Sequence, residues 1–420
     1  MPVPRPFSLP VSLLVITFAV FGSPPARAQL LGPVRGLPAV QMPGAGLPSL
    51  SSIAPTPRFD DLLRSTEALT RQLQISALLR QEPQRVAVDP QGNPVRRGEF
   101  LAMDLTPAQL AALQAQGFIA DASAPADASL GLNLVVLHDT RRRSEARAMR
   151  NLQQAAPHAA FTYQYLYLPA GTGDGLAGDA LAADALPTKP SVTKPLRVGL
   201  IDGGVDPADP ALAHAHIQAH GCSKVTVSRH GTAVAARLVD GDSDALYAAD
   251  LWCGDAVGGA TSNLVSALAW MAHEGVPVIN ISLVGPDNPV LARAVQAMNA
   301  RGHVLVAAVG NDGPAAPPLF PASYPGVIGV SAVDKRDHAL PESGSGSQVA
   351  FCALGLVGSR RNAMRGTSFA APIVARRAAQ WLDKPRMGAA AAVVQQLARE
   401  ARDLGAPGRD PRYGYGLLSP

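Results

Sequence analysis

The sequence predicts an α/β protein with a mostly parallel, doubly wound sheet, preceded by a small α+β unit. From Leu196 onward, short apolar runs alternate with helical stretches. That is the pattern of a parallel sheet covered on both faces. Residues 99–168 instead give strands and helices in the order β-α-β-β-α-β, a ferredoxin-like arrangement. Two stretches of weak periodicity, 29–98 and 169–195, read as Pro/Gly-rich linkers, the first carrying one helix.

Length and composition bound the function. The 420 residues suffice for two or three domains, and 47% hydrophobic content supplies a sizeable core. The formal net charge is only +4 and Arg is scattered, so no electrostatic footprint for nucleic acid is present. Aromatic content of 5% argues against a base-stacking platform. Residues 1–28 read as an export signal: Arg5, an apolar stretch from Val11 to Phe21, then Ala26-Arg27-Ala28 as a small-x-small cleavage site. The apolar stretch is short of the roughly 20 residues that span a bilayer, and no other segment is long and apolar enough for stable membrane insertion. The three cysteines, Cys222, Cys253 and Cys352, leave at least one thiol without an internal partner. Cys222 and Cys253 are able to pair, but nothing in the sequence chooses them.

The elements follow in order. Phe59 to Gln81 has apolar residues at helical spacing. Glu99 to Leu105 reads as a strand. Thr106-Pro107-Ala108-Gln109 reads as a capped helix start, with a hydroxyl cap, Pro at the first position and an amide three residues after the cap. Strands near Phe118 and over Leu132 to His138, a helix over Arg143 to Ala155 and a strand over Phe161 to Leu168 complete the unit. Beyond Leu196, strands are expected over Leu196–Ile201, Ala245–Leu251, Val276–Leu283, His303–Val309 and Val327–Val333. Helices are expected over Gly231–Val239, Ser262–His273 (capped by Thr261 or Ser262), Pro289–Asn299, Phe369–Leu382 and Ala389–Ala401.

Four polar residues sit at junctions where chemistry is done. Asp202 follows an apolar strand, and open α/β sheets carry their sites at the carboxyl ends of strands. His230 stands at a helix start, where a carboxylate-oriented imidazole can take a proton from a hydroxyl. Ser368, in Gly366-Thr367-Ser368-Phe369-Ala370-Ala371-Pro372, opens a helix whose free N–H groups favour developing negative charge. Asn311 follows a strand and carries an amide able to donate to an oxyanion. Each has a plainer reading: a turn acid, a packed histidine, a Ser N-cap, a turn asparagine. Together they stand in the order Asp, His, Asn, Ser, and the triad order is that of subtilisin, not of chymotrypsin or the α/β-hydrolases. His214, His216 and His220 read as solvated loop residues and not as a zinc site.

The motifs around these residues resemble those of the subtilisin-like serine peptidases, the subtilase family. Val198 to Asp206 resembles the aspartate motif, His230-Gly231-Thr232 the histidine motif, and Val278 to Leu283 the substrate-lining strand. Ala307 to Asn311 resembles the oxyanion segment, and Gly366 to Pro372 the serine motif throughout. The likeness covers about 196–420. It implies a secreted serine endopeptidase with Asp202, His230 and Ser368 as catalytic residues and Asn311 in the oxyanion hole. Polypeptide substrates would be held by Ser282, Leu283, Val284, Gly285 and Gly310. Residues 99–168 would form a prodomain that acts as chaperone and inhibitor until cut within 171–195. No cofactor or metal is implied. Two positions depart from the family. Gly203 stands where Ser or Thr often follows the aspartate. Val284 stands where Gly often lies beside the primary specificity pocket, which a branched side chain narrows.

Overall fold

The structure is a computed structural model that describes residues 71–121, 130–170, 194–224, 226–239, 243–358 and 363–420, all within the unit formed by residues 57–420. The expected export signal and the stretches 29–70 and 171–193 lie outside the described residues.

Helix α1 (Arg71–Gln81) leads into strands β1 (Val86–Val88) and β2 (Pro94–Met103). Helix α2 (Pro107–Ala115), strands β3 (Phe118–Ala120) and β4 (Leu134–Asp139), helix α3 (Glu145–Ala155) and strand β5 (Ala160–Tyr165) follow. These strands pair antiparallel, in the order β5-β2-β4-β3, with β1 beside the first residues of β2. Strand β2 starts before Glu99. The Arg96-Arg97-Gly98 run interrupts its apolar alternation, and Gly98, at φ 70°, lies where the register against β5 shifts. Thr106 caps α2: its Oγ1 accepts the Gln109 N–H at 3.3 Å, and Gln109 Oε1 accepts the Thr106 N–H at 2.8 Å.

The α+β sheet is apolar on both faces. Phe100 and Ala102 point to Leu113 of α2 and Leu152 of α3. Leu101 and Met103, one residue out of phase, belong to a cluster with the helices of the second layer described next.

After β5 the chain does not continue as one strand to Leu168. It breaks at Leu166–Tyr167 and forms the two-residue strand β6 (Leu168–Pro169) in another sheet. Then come β7 (Arg197–Asp202), β8 (His216–His220), α4 (Arg229–Leu238), β9 (Ala245–Asp250), α5 (Thr261–His273), β10 (Val278–Ile281), β11 (Leu283–Val284), α6 (Pro289–Ala300), β12 (Val304–Ala308), β13 (Val327–Val333), β14 (Val349–Leu354), β15 (Leu356–Val357), β16 (Met364–Arg365), α7 (Thr367–Ala379) and α8 (Ala389–Glu400).

Seven parallel strands make the main sheet, ordered β14-β13-β12-β10-β7-β9-β8. Along β12, Val304, Val306 and Ala308 face α4, α7 and α8, whereas Leu305 and Ala307 face α5 and α6. The sheet is therefore covered on both faces. Chain order reverses between β7 and β10, and the crevice outside their carboxyl ends is where such sheets carry their sites. Among the described residues no helix is long and apolar enough to cross a membrane.

Three expectations need correction. His216 and His220 are not loop residues: they belong to β8, the polar edge strand, and His220 stacks on Trp270 with ring centroids 4.4 Å apart. The cap of α5 is Ala260, not Thr261 or Ser262, and it supplies no side-chain bond. Gln164 of β5 acts in its place, accepting the Ser262 N–H at 3.1 Å. The helix expected from Phe369 starts two residues earlier, at Thr367 behind Gly366, so Ser368 lies within it and the plainer N-cap reading of Ser368 does not hold.

Candidate active site

Asp202 ends β7, and Ser228 caps α4 by accepting the Gly231 N–H at 3.1 Å, which places His230 in the first helical turn. His230 Nδ1 lies 2.9 Å from Asp202 Oδ1, with both side chains buried. A carboxylate only accepts, so this contact places the proton on Nδ1 and leaves Nε2 as the basic nitrogen. Asp202 Oδ1 also accepts the Gly203 N–H at 2.7 Å, while Oδ2 has no hydrogen-bond partner among the described residues. A side chain on Gly203 would meet Ser228 Cβ at 2.7 Å. The residue that caps α4 thus fills the space a hydroxyl at 203 would need. Asp250, paired with Asp202 at the end of β9, has its carboxyl pushed up, first by burial and further by the charge of Asp202.

Ser368 is buried in the first turn of α7, whose N-terminus points into the crevice. Gly366, at φ 137°, makes the sharp approach to the helix. Phe369 packs on the His230 ring with centroids 5.2 Å apart, setting the serine turn against the histidine. The Ser368 hydroxyl donates to the Ser282 carbonyl at 3.0 Å.

The cleft is filled by the chain itself. Strand β6 pairs antiparallel with β11, Leu168 opposite Val284 and Pro169 opposite Leu283. The Ala170 N–H donates to Ser282 O at 3.1 Å, and the Tyr167 N–H to Gly259 O at 2.7 Å. The Ala170 carbonyl oxygen accepts the Ser368 backbone N–H at 3.1 Å and a second hydrogen bond from Asn311 Nδ2. Asn311 cannot turn its amide over without loss, because its Oδ1 accepts both the Thr367 N–H at 3.0 Å and the Thr367 hydroxyl at 3.2 Å. Two donors thus converge on one carbonyl oxygen beside a buried serine, the arrangement that stabilises an oxyanion.

Helix α1 closes over this tail: Ile75 and Leu78 cluster with Leu166, Leu168, Val257 and Ala260. The α+β unit is tied down further by Arg85 to Asp255 at 2.5 Å, Arg293 to Asp104 at 2.9 Å, and Asn288 Nδ2 to Tyr163 O at 3.3 Å.

Of the residues expected to hold substrate, Ser282, Leu283 and Val284 line the tail, and Gly285 lies against its Tyr167 ring. Gly285 bonds Phe320 on its backbone, and Gly310 bonds the Thr367 hydroxyl through its N–H at 3.1 Å. Sequence reasoning missed Thr367 as the residue that orients Asn311, Leu319 beside Gly310, and the tail from Leu166 to Ala170 as the occupant of the cleft. Only Thr367 had a signal, its place in the serine motif.

Cys222 and Cys253 form a disulfide, and Cys352 is a buried free thiol. The only group of potential metal ligands among the described residues is Cys222, Asp250 and Cys253, whose two sulfurs are taken by that disulfide.

A model of the subtilase family matches residues 193–416, more than half of the 420 residues. The chain is 30% identical to subtilisin DY of Bacillus licheniformis over 252 residues, covering 53% of this chain and 89% of that protein. It is 28% identical to the minor extracellular protease Epr of Bacillus subtilis (strain 168), covering 54% of this chain and 38% of Epr. Among solved structures it resembles fervidolysin from Fervidobacterium pennivorans, a keratinolytic enzyme related to subtilisin, at a TM-score of 0.63 and 17% identity. That likeness covers 79% of this chain and 61% of fervidolysin, and it shows the fold alone. The chain thus spans well under half the length of Epr and less than two thirds of fervidolysin.

Proposed function

This chain belongs to the subtilase family and carries a subtilisin-like serine peptidase domain, and on that premise we propose that it is a secreted endopeptidase made as a self-inhibited precursor. Ser368 Oγ turns from Ser282 O to His230 Nε2, loses its proton there and attacks the scissile carbonyl. Asp202 holds the imidazole in the required tautomer and stabilises its cation. Asn311 Nδ2 and the Ser368 N–H take the charge that develops on the carbonyl oxygen. His230 returns the proton to the leaving amine, and water then releases the acyl group by the same route.

The observation that carries this reading is the position of the Ala170 carbonyl between Ser368 N and Asn311 Nδ2. On this reading the peptide bond after Ala170 is the one offered to the serine. On this reading the α+β unit is the prodomain. Its strand order is that of the ferredoxin-like fold, and its C-terminal tail occupies the cleft as a bound product would. Residues 171–195 are the linker behind the cut and 196–420 the peptidase. Export is supported by the signal read in residues 1–28 and by the Cys222–Cys253 disulfide, a bond kept in oxidising compartments.

A fluorophosphonate probe tests the chemistry. The processed protein should be labelled on Ser368, and Ser368→Ala should abolish both labelling and peptide cleavage. A folded, processed protein that takes no label would overturn the reading.

A further inference from the structure

We propose that this peptidase cuts after small residues, alanine above all, with tyrosine favoured four residues before the cut bond, and that Val284 and Leu319 set the first preference. The proposal rests on the peptidase reading above and names its substrate class: extended polypeptide segments of the form Tyr-x-x-Ala.

The limit on the residue before the bond comes from two apolar side chains. Ala170 is 2% exposed and shares one buried cluster with Val284 and Leu319. A Cβ placed on Gly310 would meet Leu319 Cδ1 at 2.7 Å and Val284 Cγ1 at 3.7 Å. Both side chains therefore reach Gly310, which precedes the Asn311 that holds the Ala170 carbonyl. On this proposal they form the wall that a longer side chain at 170 would meet. Close-packed apolar walls accept a methyl and resist a ring or an isobutyl group.

The second preference is built from glycines and carbonyls. Tyr167 is fully buried. Its hydroxyl donates to Pro286 O at 2.9 Å and its N–H to Gly259 O at 2.7 Å. A Cβ on Gly285 would lie 2.5 Å from the Tyr167 ring, and one on Gly259 would lie 2.3 Å from Tyr167 O. The absence of a side chain at 285 makes room for the ring, and its absence at 259 lets the Tyr167 backbone come close. The Pro286 carbonyl beyond the ring selects a hydroxyl, since a buried acceptor left unpaired is unfavourable.

The test uses processed protein from the full chain and p-nitroanilide peptides built on Tyr-Leu-Pro-Ala. The last residue is replaced by Gly, Leu or Phe, or the Tyr by Ala. We expect kcat/KM to fall roughly 100-fold or more from Ala to Phe at the last position, and roughly 10-fold or more from Tyr to Ala at the first. Val284→Gly with Leu319→Ala should raise the Phe-to-Ala ratio about 10-fold or more by opening the wall. Equal cleavage after Phe and Ala by the unaltered protein overturns the proposal while leaving the peptidase reading intact, provided Ser368 takes the fluorophosphonate. Absence of both labelling and cleavage overturns the two together. Should the double variant not fold, the peptide series on the unaltered protein decides alone.

Discussion

The carbonyl oxygen of Ala170 accepts the backbone N–H of Ser368 at 3.1 Å. The two residues are far apart in sequence, and what joins them is the tail of the α+β unit laid along β11 as an added strand. A bond held this way in its own chain is cut as a unimolecular step, with no search for a partner. The expected outcome is a new N-terminus at Gly171, formed at a rate independent of precursor concentration. Ser368→Ala should leave the chain uncut. N-terminal sequencing together with a dilution series checks both points; a first cut deeper in 171–195, or a rate that falls on dilution, contradicts the geometry.

Thr367 determines what Asn311 can do. Its N–H and hydroxyl both point at Asn311 Oδ1, so the amide NH2 is left facing Ala170 O. Asn311→Ala should lower kcat by about 10² to 10³, the range found on removing one oxyanion donor in subtilisin. Thr367→Val keeps the shape and the backbone bond but loses the hydroxyl. It should lower kcat by roughly 5-fold, the effect of one hydrogen bond of about 1 kcal/mol, with KM little changed. Thr367→Ser should restore most of the loss. An equal rise in KM would mean that Thr367 shapes substrate binding instead.

What was legible in the sequence was local. The alternation of strands and helices, the capping box at Thr106 and the motif order around Asp202, His230, Asn311 and Ser368 all follow from residues within a turn or a strand of each other. What escaped depended on contacts across the chain. Phe161 to Leu168 alternates like one strand, and only the bond from Tyr167 N to Gly259 O and the pairing with β11 break it. Strand β8 is an edge strand in which His216 and Gln218 are exposed and His220 half-buried, so it carries no apolar run to announce it. The roles of Leu319 and Thr367 depend on where β12 and α7 bring Gly310 and Asn311. The cap of α5 comes from Gln164, nearly a hundred positions earlier.

The Cys222–Cys253 disulfide joins the turns after two neighbouring parallel strands, β8 and β9, and closes a sequence separation of 31. In the chain-entropy account a loop of that length is stabilised by roughly 3–4 kcal/mol through the unfolded state. Replacing both cysteines by Ala should move the urea midpoint of the Ser368→Ala precursor down accordingly. Reducing agent should do the same to the parent and nothing to the double variant. A reductant effect of equal size in the variant would place the stabilisation elsewhere.

Glu145 makes the α+β unit sensitive to pH. It is 6% exposed, its Oε1 accepts the Gly98 N–H at 3.1 Å, and its Oε2 has no hydrogen-bond partner among the described residues. Burial raises its carboxyl above the usual value and the charge of Asp139 adds to that, while the Gly98 N–H and Arg97 pull the other way. A carboxyl raised in the folded state binds its proton more tightly there than in the unfolded chain. Its contribution to stability is therefore complete below the ordinary glutamate range of about 4.3 and is lost as pH rises through the folded value. Glu145→Gln keeps an acceptor for Gly98 and removes the charge. In the Ser368→Ala precursor it should raise the melting temperature at pH 8 and change it little at pH 4, where the parent is already neutral at this position. A difference of the same size at both pH values would show that the substitution acts through packing and not through the charge.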